Sequence, residues 1–341
     1  MKSTQLQLKI KILKTSLIQY SFILSLLNLL EQSKEISSRN PMEFHLAPMK
    51  NICCWAFRAS IFGITDSYVE MINLESLLNN KRNAWNLIDT YPIKNQNQWL
   101  QILTHNLKDI SLLPKILIQF FKNNPERNNI YGVNINAGCP DPNIISAGDG
   151  AALIKRTKRL IDLVKSFLSV PESQNLHLSC KLRIGLNERE MNYKKVGDFL
   201  ESLRSIDDHR LKPPIIHFKH AKQSSKESPH WEFLESFLNI NVPIIINGDI
   251  SNPNDIKKIK EILPNDLQNQ WNNLIAGIMI GRGILKNPIC FEAFKANIDN
   301  RVDESQWKIL FQNNLKVHPP QKKYLVNLGN CYPFILKKGK E

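Results

Sequence analysis

Short apolar runs alternate with longer amphipathic stretches along most of the chain. The short runs favour buried strands, and apolar residues that recur every three or four positions favour helices. Strands that alternate with helices are typical of a parallel α/β sheet or barrel. The candidate strands are residues 44–48, 68–72, 99–103, 131–136, 176–183, 214–218, 242–247 and 276–280.

Eight strands in a chain of 341 residues fit one (β/α)8 TIM barrel. The stretch after residue 150 illustrates the helical pattern, because its leucines share one face and its lysines and arginines the other. We predict an α/β fold with the barrel in residues 42–297 and a short, mostly helical, basic extension in residues 298–341. Residues 78–98 form a loop that is long for a barrel.

The first 41 residues are expected to form an amphipathic helical extension. The apolar run 17–30 is interrupted by polar residues and is shorter than the roughly 20 residues that a membrane helix needs. It also lacks the small-residue cleavage site of a signal peptide. We therefore expect no membrane association, and translation from Met42 is an alternative start.

Composition adds a preference for a polyanionic partner. The chain is 42% hydrophobic and 22% charged, as soluble globular proteins are, and its net charge is +14. Its six cysteines are scattered without the two-residue spacing of a zinc site. We expect reduced thiols, no metal and a cytoplasmic protein.

One cysteine stands apart because Cys139 lies between Gly138 and Pro140, just after a predicted strand. Glycine and proline end the strand, and a glycine-rich loop follows at residues 148–150. We expect an exposed thiol at the carboxyl end of the barrel, where catalytic groups usually lie.

Polar residues also follow the other strands and should converge on the same mouth. An ionised Lys181 in an apolar run would be costly to bury without a partner or ligand. Glycines flank charges in the loops after strands seven and eight, the usual phosphate site of such barrels. A phosphorylated cofactor is therefore the leading hypothesis. The residues concerned are Gln101, Asn136, Cys139, Lys181, Arg183, His217, Lys219, His220, Asn247, Gly248, Asp249, Gly281, Arg282 and Gly283.

Nine segments together resemble the tRNA-dihydrouridine synthase family of flavoproteins. They occur in the family's order and cover about residues 43 to 291. Other flavin barrels share single pieces of this set. The segments are Leu46-Ala-Pro-Met49, Glu70-Met71, Asn136-Ala-Gly-Cys-Pro140, Gly148-Asp-Gly150-Ala-Ala-Leu153, Lys181-Leu-Arg-Ile-Gly185, His217-Phe-Lys-His-Ala-Lys-Gln223, Pro243-Ile-Ile-Ile-Asn-Gly-Asp249, Met279-Ile-Gly-Arg-Gly283 and Asn287-Pro288.

The resemblance implies an FMN enzyme that reduces the C5–C6 double bond of a uridine in tRNA and takes its electrons from NADPH or NADH. Pro48 and Met49 would line the isoalloxazine, while Gln101 and Lys181 would hydrogen-bond its ring. Asn136 would lie between flavin and substrate. The remaining cofactor residues are His217, Asn247, Gly248, Asp249, Gly281 and Arg282, most of them at the ribityl phosphate.

The resemblance further implies that Cys139 is the general acid. It would protonate C5 while hydride from flavin N5 reaches C6. A thiol with an ordinary pKa of about 8.5 is mostly protonated at neutral pH, which suits an acid. A thiolate nucleophile is the rival role. Basic side chains would hold the tRNA; the candidates are Arg183, Lys219, Lys222 and lysines 322, 323, 337, 338 and 340.

Two other functions stay open from the sequence. One is an RNA-binding barrel with little catalysis, and the other is an FMN-dependent oxidoreductase of a free pyrimidine. The positive charge argues mildly against a small free substrate. We expect a monomer.

Overall fold

A computed structural model describes residues 41–191, 193–294 and 303–335. Its strands are all parallel and belong to one sheet. They are β1 (Glu43–Leu46), β2 (Asp66–Tyr68), β3 (Ile72–Asn73), β4 (Asn97–Leu103), β5 (Gly132–Ala137), β6 (His177–Arg183), β7 (Ile215–His217), β8 (Ile244–Asn247) and β9 (Ile275–Ile280).

The sheet closes into a barrel of eight strands. Strand β1 pairs with β2 on one side and β9 on the other, and β2 also pairs with β4. Strands β4 to β9 then follow in chain order, while β3 adds two residues to β4 outside the ring. The predicted (β/α)8 fold is confirmed.

The second strand is where the prediction was wrong. Residues 68–72 were expected to form one strand, but β2 ends at Tyr68 and the chain leaves the ladder for three residues before β3. Glu70 lies in this gap, and its buried carboxylate accepts hydrogen bonds from Asn51, Lys323 and Tyr324. These bonds connect distant segments, which a strand pattern does not reveal.

Helices follow most strands, and a pair of helices follows the barrel. The helices are α1 (Trp55–Arg58), α2 (Leu74–Leu78), α3 (Arg82–Trp85), α4 (Leu107–Asn123), α5 (Pro142–Ser146), α6 (Thr157–Leu168), α7 (Tyr193–Arg204), α8 (Leu234–Leu238), α9 (Pro253–Glu261), α10 (Asn265–Asn269), α11 (Trp271–Leu274), α12 (Gly283–Lys286), α13 (Glu304–Val317) and α14 (Lys322–Cys331). None of the described helices is long and apolar enough to cross a membrane.

Successive side chains of a strand point to opposite faces of the sheet, so that alternate residues lie in two different hydrophobic cores. Residues such as Leu100 and Ile102 belong to the large core that includes the helices. Trp99 belongs instead to a smaller cluster, where it stacks on Tyr68 with ring centroids 5.9 Å apart. Two positions beyond Trp99 on the same strand, the residue is the polar Gln101. The apolar cluster therefore forms a floor beneath polar side chains at the carboxyl ends.

The long loop at residues 78–98 contains α3 and is anchored by a buried ion pair. Arg58 Nη1 lies 2.8 Å from Asp89 Oδ1, and its Nη2 donates to the Asp89 carbonyl and to Gln98 Oε1. Burial raises the pKa of the Asp89 carboxyl, and the charge of Arg58 opposes that rise. The pair connects α1, the loop and β4.

The described part of the C-terminal extension is helical, as predicted. Trp307 and Phe311 of α13 are buried, and Phe311 packs edge-on against Phe57 at 5.9 Å. Asn314 Nδ2 donates to Ser60 Oγ at 2.9 Å. These helices therefore pack on the segment after β1. The predicted N-terminal extension lies outside the described residues, apart from Pro41.

Candidate functional site

A cavity of about 270 Å³ opens at the carboxyl ends of the strands. It brings together residues from loops after β1 and from β4 to β9, so that the expected convergence is observed. The predicted site residues that line it are Pro48, Met49, Gln101, Asn136, Cys139, Lys181, Arg183, His217, Asn247, Asp249, Gly281 and Arg282. Met71 and Ile250 also line it and were not predicted as site residues.

A chain of side-chain amides forms one side of the site. Gln101 Nε2 donates to Asn134 Oδ1, and Gln101 Oε1 accepts from Asn136 Nδ2, both at 2.8 Å. The two bonds orient the Gln101 amide. Asn134 Nδ2 is buried and has no hydrogen-bond partner among the described protein atoms. It is therefore the unused donor of this chain of three amides.

Asn136 also shapes the turn that carries the cysteine. Its Oδ1 accepts from the backbone N–H groups of Gly138 at 3.0 Å and Cys139 at 2.8 Å. On the other side, Arg183 Nε donates to the Gly138 carbonyl at 2.8 Å. The turn is therefore held by side chains from two adjacent strands.

Cys139 is buried, with 8% of its surface exposed, so the expectation of an exposed thiol was wrong. The glycine-rich loop packs behind it: Ala151 N–H donates to the Cys139 carbonyl at 3.0 Å. A Cβ on Gly150 would lie 2.9 Å from that carbonyl oxygen, and its φ of +57° also favours glycine. One face of Cys139 still borders the cavity.

The environment of Cys139 keeps its thiol protonated. Burial raises the pKa of the Cys139 thiol above its ordinary value, and it outweighs the nearby positive charges of Arg183 and Lys50. A thiolate nucleophile needs the opposite shift. The direction suits a proton donor.

Lys181 on β6 contributes an amine to the cavity lining. Its Nζ donates to Asn247 Oδ1 at 3.1 Å, and Asn247 Nδ2 donates to the Met279 carbonyl at 2.9 Å. Burial, with a smaller contribution from the charge of Arg183, lowers the pKa of Lys181 to about 7. An anionic or electron-rich ligand beside Nζ would favour its charged form.

The far side of the cavity combines a neutral imidazole with an exposed guanidinium. Burial and the charges of Lys181 and Arg183 hold the pKa of His217 well below its usual range, so its imidazole is neutral. Arg282 is exposed and lies 3.5 Å from Asp249, the one carboxylate among the described lining residues. The balance of charge favours an anionic group here.

Four predicted residues lie away from the cavity lining: the buried His220, and Lys219, Gly248 and Lys222. Lys219 was expected at the rim, but it is 2% exposed and its Nζ lies 2.6 Å from Asp249 Oδ2. It therefore neutralises this carboxylate. Gly248 has φ of +145° and packs towards Pro229. Lys222 is exposed on the loop after β7.

Of the five C-terminal lysines predicted to hold tRNA, two lie in the described residues. Lys322 is exposed, whereas Lys323 forms an ion pair with Glu70. Lysines 337, 338 and 340 lie outside the described residues.

A family model described as dihydrouridine synthase matches residues 45–326. Curated proteins similar to this chain include several named probable tRNA-dihydrouridine synthase. The chain is 30% identical over 161 residues to a probable tRNA-dihydrouridine synthase of Staphylococcus aureus (strain Mu50 / ATCC 700699), a match that covers 47% of this chain and 44% of the relative. A protein of the same name from Treponema pallidum (strain Nichols) is 24% identical over 255 residues, with 72% and 68% covered.

The match to the staphylococcal relative thus spans less than half of its length. Among solved structures, the old yellow enzyme from Trypanosoma cruzi superimposes with a TM-score of 0.47 at 9% identity, over 82% of this chain and 95% of that chain.

Proposed function

Since the chain belongs to the dihydrouridine synthase family, we propose that it is an FMN-dependent tRNA-dihydrouridine synthase. It reduces the C5–C6 double bond of a uridine in tRNA. The observation that carries this proposal is the buried thiol of Cys139 at the edge of a cavity lined by amides and basic side chains.

The residues present fit FMN at both ends of that molecule. Gln101 and Asn136 line the cavity and offer oriented amides for a polar ring. Arg282 and the neutral imidazole of His217 suit a phosphate. FMN, when bound, would supply hydride to C6 of the uracil, and NADPH or NADH would supply the electrons.

Lys181 would hydrogen-bond the ring while Asn247 orients its ammonium group. With a pKa of about 7 it is part-charged at neutral pH, and an electron-rich partner would draw a proton to it. Lys181 thereby stabilises negative charge that develops beside it.

Cys139 would donate its proton to C5 of the uracil. Its pKa is raised, so the proton is present at neutral pH. Asn136 and Arg183 hold the turn on both sides, which keeps the thiol directed at one edge of the cavity. The pyrimidine gains one hydride and one proton, and the Cys139 thiolate is reprotonated from water.

The substrate base has to leave its stack to reach a thiol this deep in a barrel. The net charge of +14 favours binding of the tRNA phosphates, with Arg183, Lys222 and Lys322 as candidate contacts. We also propose that the protein acts as a monomer in the cytoplasm, where its tRNA substrate would be found.

One assay tests the proposal. The purified protein is titrated with FMN, then incubated with unmodified tRNA and NADPH, and dihydrouridine is quantified in the digested tRNA. A dihydrouridine yield that depends on FMN supports the proposal. Failure to bind FMN contradicts it, tRNA binding without reduction supports the RNA-binding alternative, and turnover of free pyrimidines alone supports the small-substrate enzyme.

A further inference from the structure

Glu70 is a buried carboxylate outside the cavity lining. It is 3% exposed and lies between β2 and β3. Its Oε2 accepts from the backbone N–H of Asn51 at 2.5 Å, and its Oε1 accepts from Lys323 Nζ at 2.5 Å and from Tyr324 Oη at 3.0 Å. One carboxylate therefore joins the loop after β1 to helix α14.

All three donors matter because a buried carboxylate is costly unless it is paired and hydrogen-bonded. Tyr324 is itself buried, and burial together with the charge of Glu70 raises the pKa of its hydroxyl. Tyr324 therefore stays neutral and keeps its proton for Glu70. Lys323 supplies the compensating charge, with its ammonium 4.7 Å from the ring centre of Tyr324.

The Asn51 end of this network belongs to the cavity wall. Asn51 has φ of +59°, a conformation that a non-glycine residue adopts at some cost. The N–H groups of the next two residues donate to the Met49 carbonyl, and Met49 lines the cavity with Pro48. A bond that fixes Asn51 therefore fixes Met49.

Two further contacts extend the same linkage. Met71, next to Glu70 in the chain, lines the cavity. Tyr332, just after α14, donates from its hydroxyl to the Ile284 carbonyl in α12 at 3.2 Å. Helix α12 begins at Gly283, directly after Arg282, so that α14 and the residue after it contact segments on two sides of the cavity.

We propose that Glu70 is a positioning residue through which helix α14 holds the cavity wall at Met49, so that docking of α14 and binding of the cofactor favour each other. The identity of that cofactor as FMN rests on the proposed function. Since linkage is reciprocal, FMN should stabilise the docked α14 by the same factor by which docked α14 strengthens FMN binding.

Two neighbouring lysines provide a matched test. Lys323→Met removes the ion pair with Glu70, whereas Lys322→Met removes an exposed lysine one residue away. In FMN titrations followed by flavin fluorescence, Lys323→Met should raise Kd by about five-fold or more, the lower end of coupling between sites. Lys322→Met should leave Kd unchanged. Equal effects of the two substitutions would overturn the proposal.

A double-mutant cycle shows whether Lys323 acts through Glu70. In a Glu70→Gln background, Lys323→Met should change the FMN Kd much less than it does in the parent protein. Tyr324→Phe should also weaken FMN binding, because it removes one of the donors to Glu70. It changes little volume, so that packing of the ring is kept. Fully additive effects of Glu70→Gln and Lys323→Met would contradict the linkage.

Hydrogen exchange provides a readout that does not depend on FMN. In the protein without FMN, Lys323→Met should speed amide exchange in a peptide that spans residues 49–53, and Lys322→Met should not. Unchanged exchange there would refute the positioning role even if the protein bound no FMN. If the parent protein binds no FMN while exchange responds as expected, the proposed function fails and Glu70 keeps its positioning role.

Discussion

Arg183 Nε lies 2.8 Å from the carbonyl oxygen of Gly138, so that strand β6 holds the residue that precedes the cysteine on the turn after β5. A second nitrogen of the same guanidinium, Nη1, donates to the His220 carbonyl at 2.9 Å. The guanidinium holds donors on separate nitrogens in a rigid fork that reaches two carbonyls on different loops, whereas lysine presents all its donors from one nitrogen.

Arg183→Lys should therefore slow turnover more than it weakens FMN binding. The charge in the cavity remains, but the turn that carries Cys139 loses a support, and small misplacement of a catalytic group costs roughly 10- to 100-fold in rate. Single-turnover reduction of tRNA and the FMN Kd measure the two effects separately. Arg204→Lys is the control, because Arg204 is exposed on α7 and its Nη1 donates to the Ile240 carbonyl, away from the cavity. A loss of FMN binding as large as the loss of rate would contradict this role.

Cys139→Ala should keep the fold and FMN binding and lose most turnover. Removal of a general acid costs about 10² to 10⁴ in rate. The visible flavin spectrum and the dihydrouridine yield are the two measurements, and Cys331→Ala serves as control because Cys331 is exposed on α14. Full activity of the Cys139 variant would exclude it as the acid.

The pH dependence of the reduction rate should reflect the ionisation of the Cys139 thiol. An acid acts while it is protonated, and burial raises the pKa of Cys139 above its ordinary value. At saturating FMN, the rate of tRNA reduction should therefore stay level through neutral pH and fall only at alkaline pH, as the thiol loses its proton. A rate that instead rises with pH through the neutral range, and loses this rise in Cys139→Ser, would indicate an active thiolate and would contradict the proton-donor role.

The sequence predicted the barrel and most of its mouth, because both follow local patterns. Their positions towards the strand ends indicated Gln101 and Lys181 as residues of the mouth, and Gly138 and Pro140 marked the turn around Cys139. The prediction that Lys219 lies at the rim was wrong, because Lys219 forms an ion pair with Asp249. This pair joins two loops that no local sequence pattern relates. The same holds for the Glu70 network.

The anchor of the long loop was equally hidden. Arg58 and Asp89 are 31 residues apart in the chain, and the loop between β3 and β4 gave no periodic signal. Arg58 is fully buried, and its guanidinium also donates to the Cys53 carbonyl at 2.6 Å. Only the folded structure shows that these groups satisfy one another.

Arg58→Met should destabilise the fold by about 3 kcal/mol, because it removes the charge partner of the Asp89 carboxylate, which is 21% exposed and would keep only its bond from the Trp55 N–H. Urea unfolding followed by tryptophan fluorescence measures the change. The double variant Arg58→Met with Asp89→Asn should recover part of the loss, since the unpaired charge is then gone. Arg204→Met is the control, because Arg204 is exposed and donates only to the Ile240 carbonyl. A loss of equal size in both single variants would argue against the buried pair.

Lys181 should make FMN binding depend on pH. The pKa of Lys181 is lowered to about 7, so the amine loses its proton as pH rises through that value in the protein without ligand. If the charged form hydrogen-bonds the flavin, binding raises this pKa, and FMN affinity should decrease as pH rises from about 7 towards the pKa of the complex.

Proton uptake on binding is the direct measurement of this linkage. Titration calorimetry at pH 8 in buffers of different ionisation enthalpy should show a fraction of a proton taken up by the parent protein for each FMN bound. Lys181→Met should bind FMN more weakly and lose this part of the uptake.

His217 is the second possible source of proton uptake. Its imidazole is neutral in the same pH range because its pKa is far lower, so that it adds no uptake unless the bound phosphate raises that pKa. His217→Asn separates the two sources: uptake that persists in this variant and vanishes in Lys181→Met assigns the proton to Lys181, whereas the reverse pattern would assign it to His217.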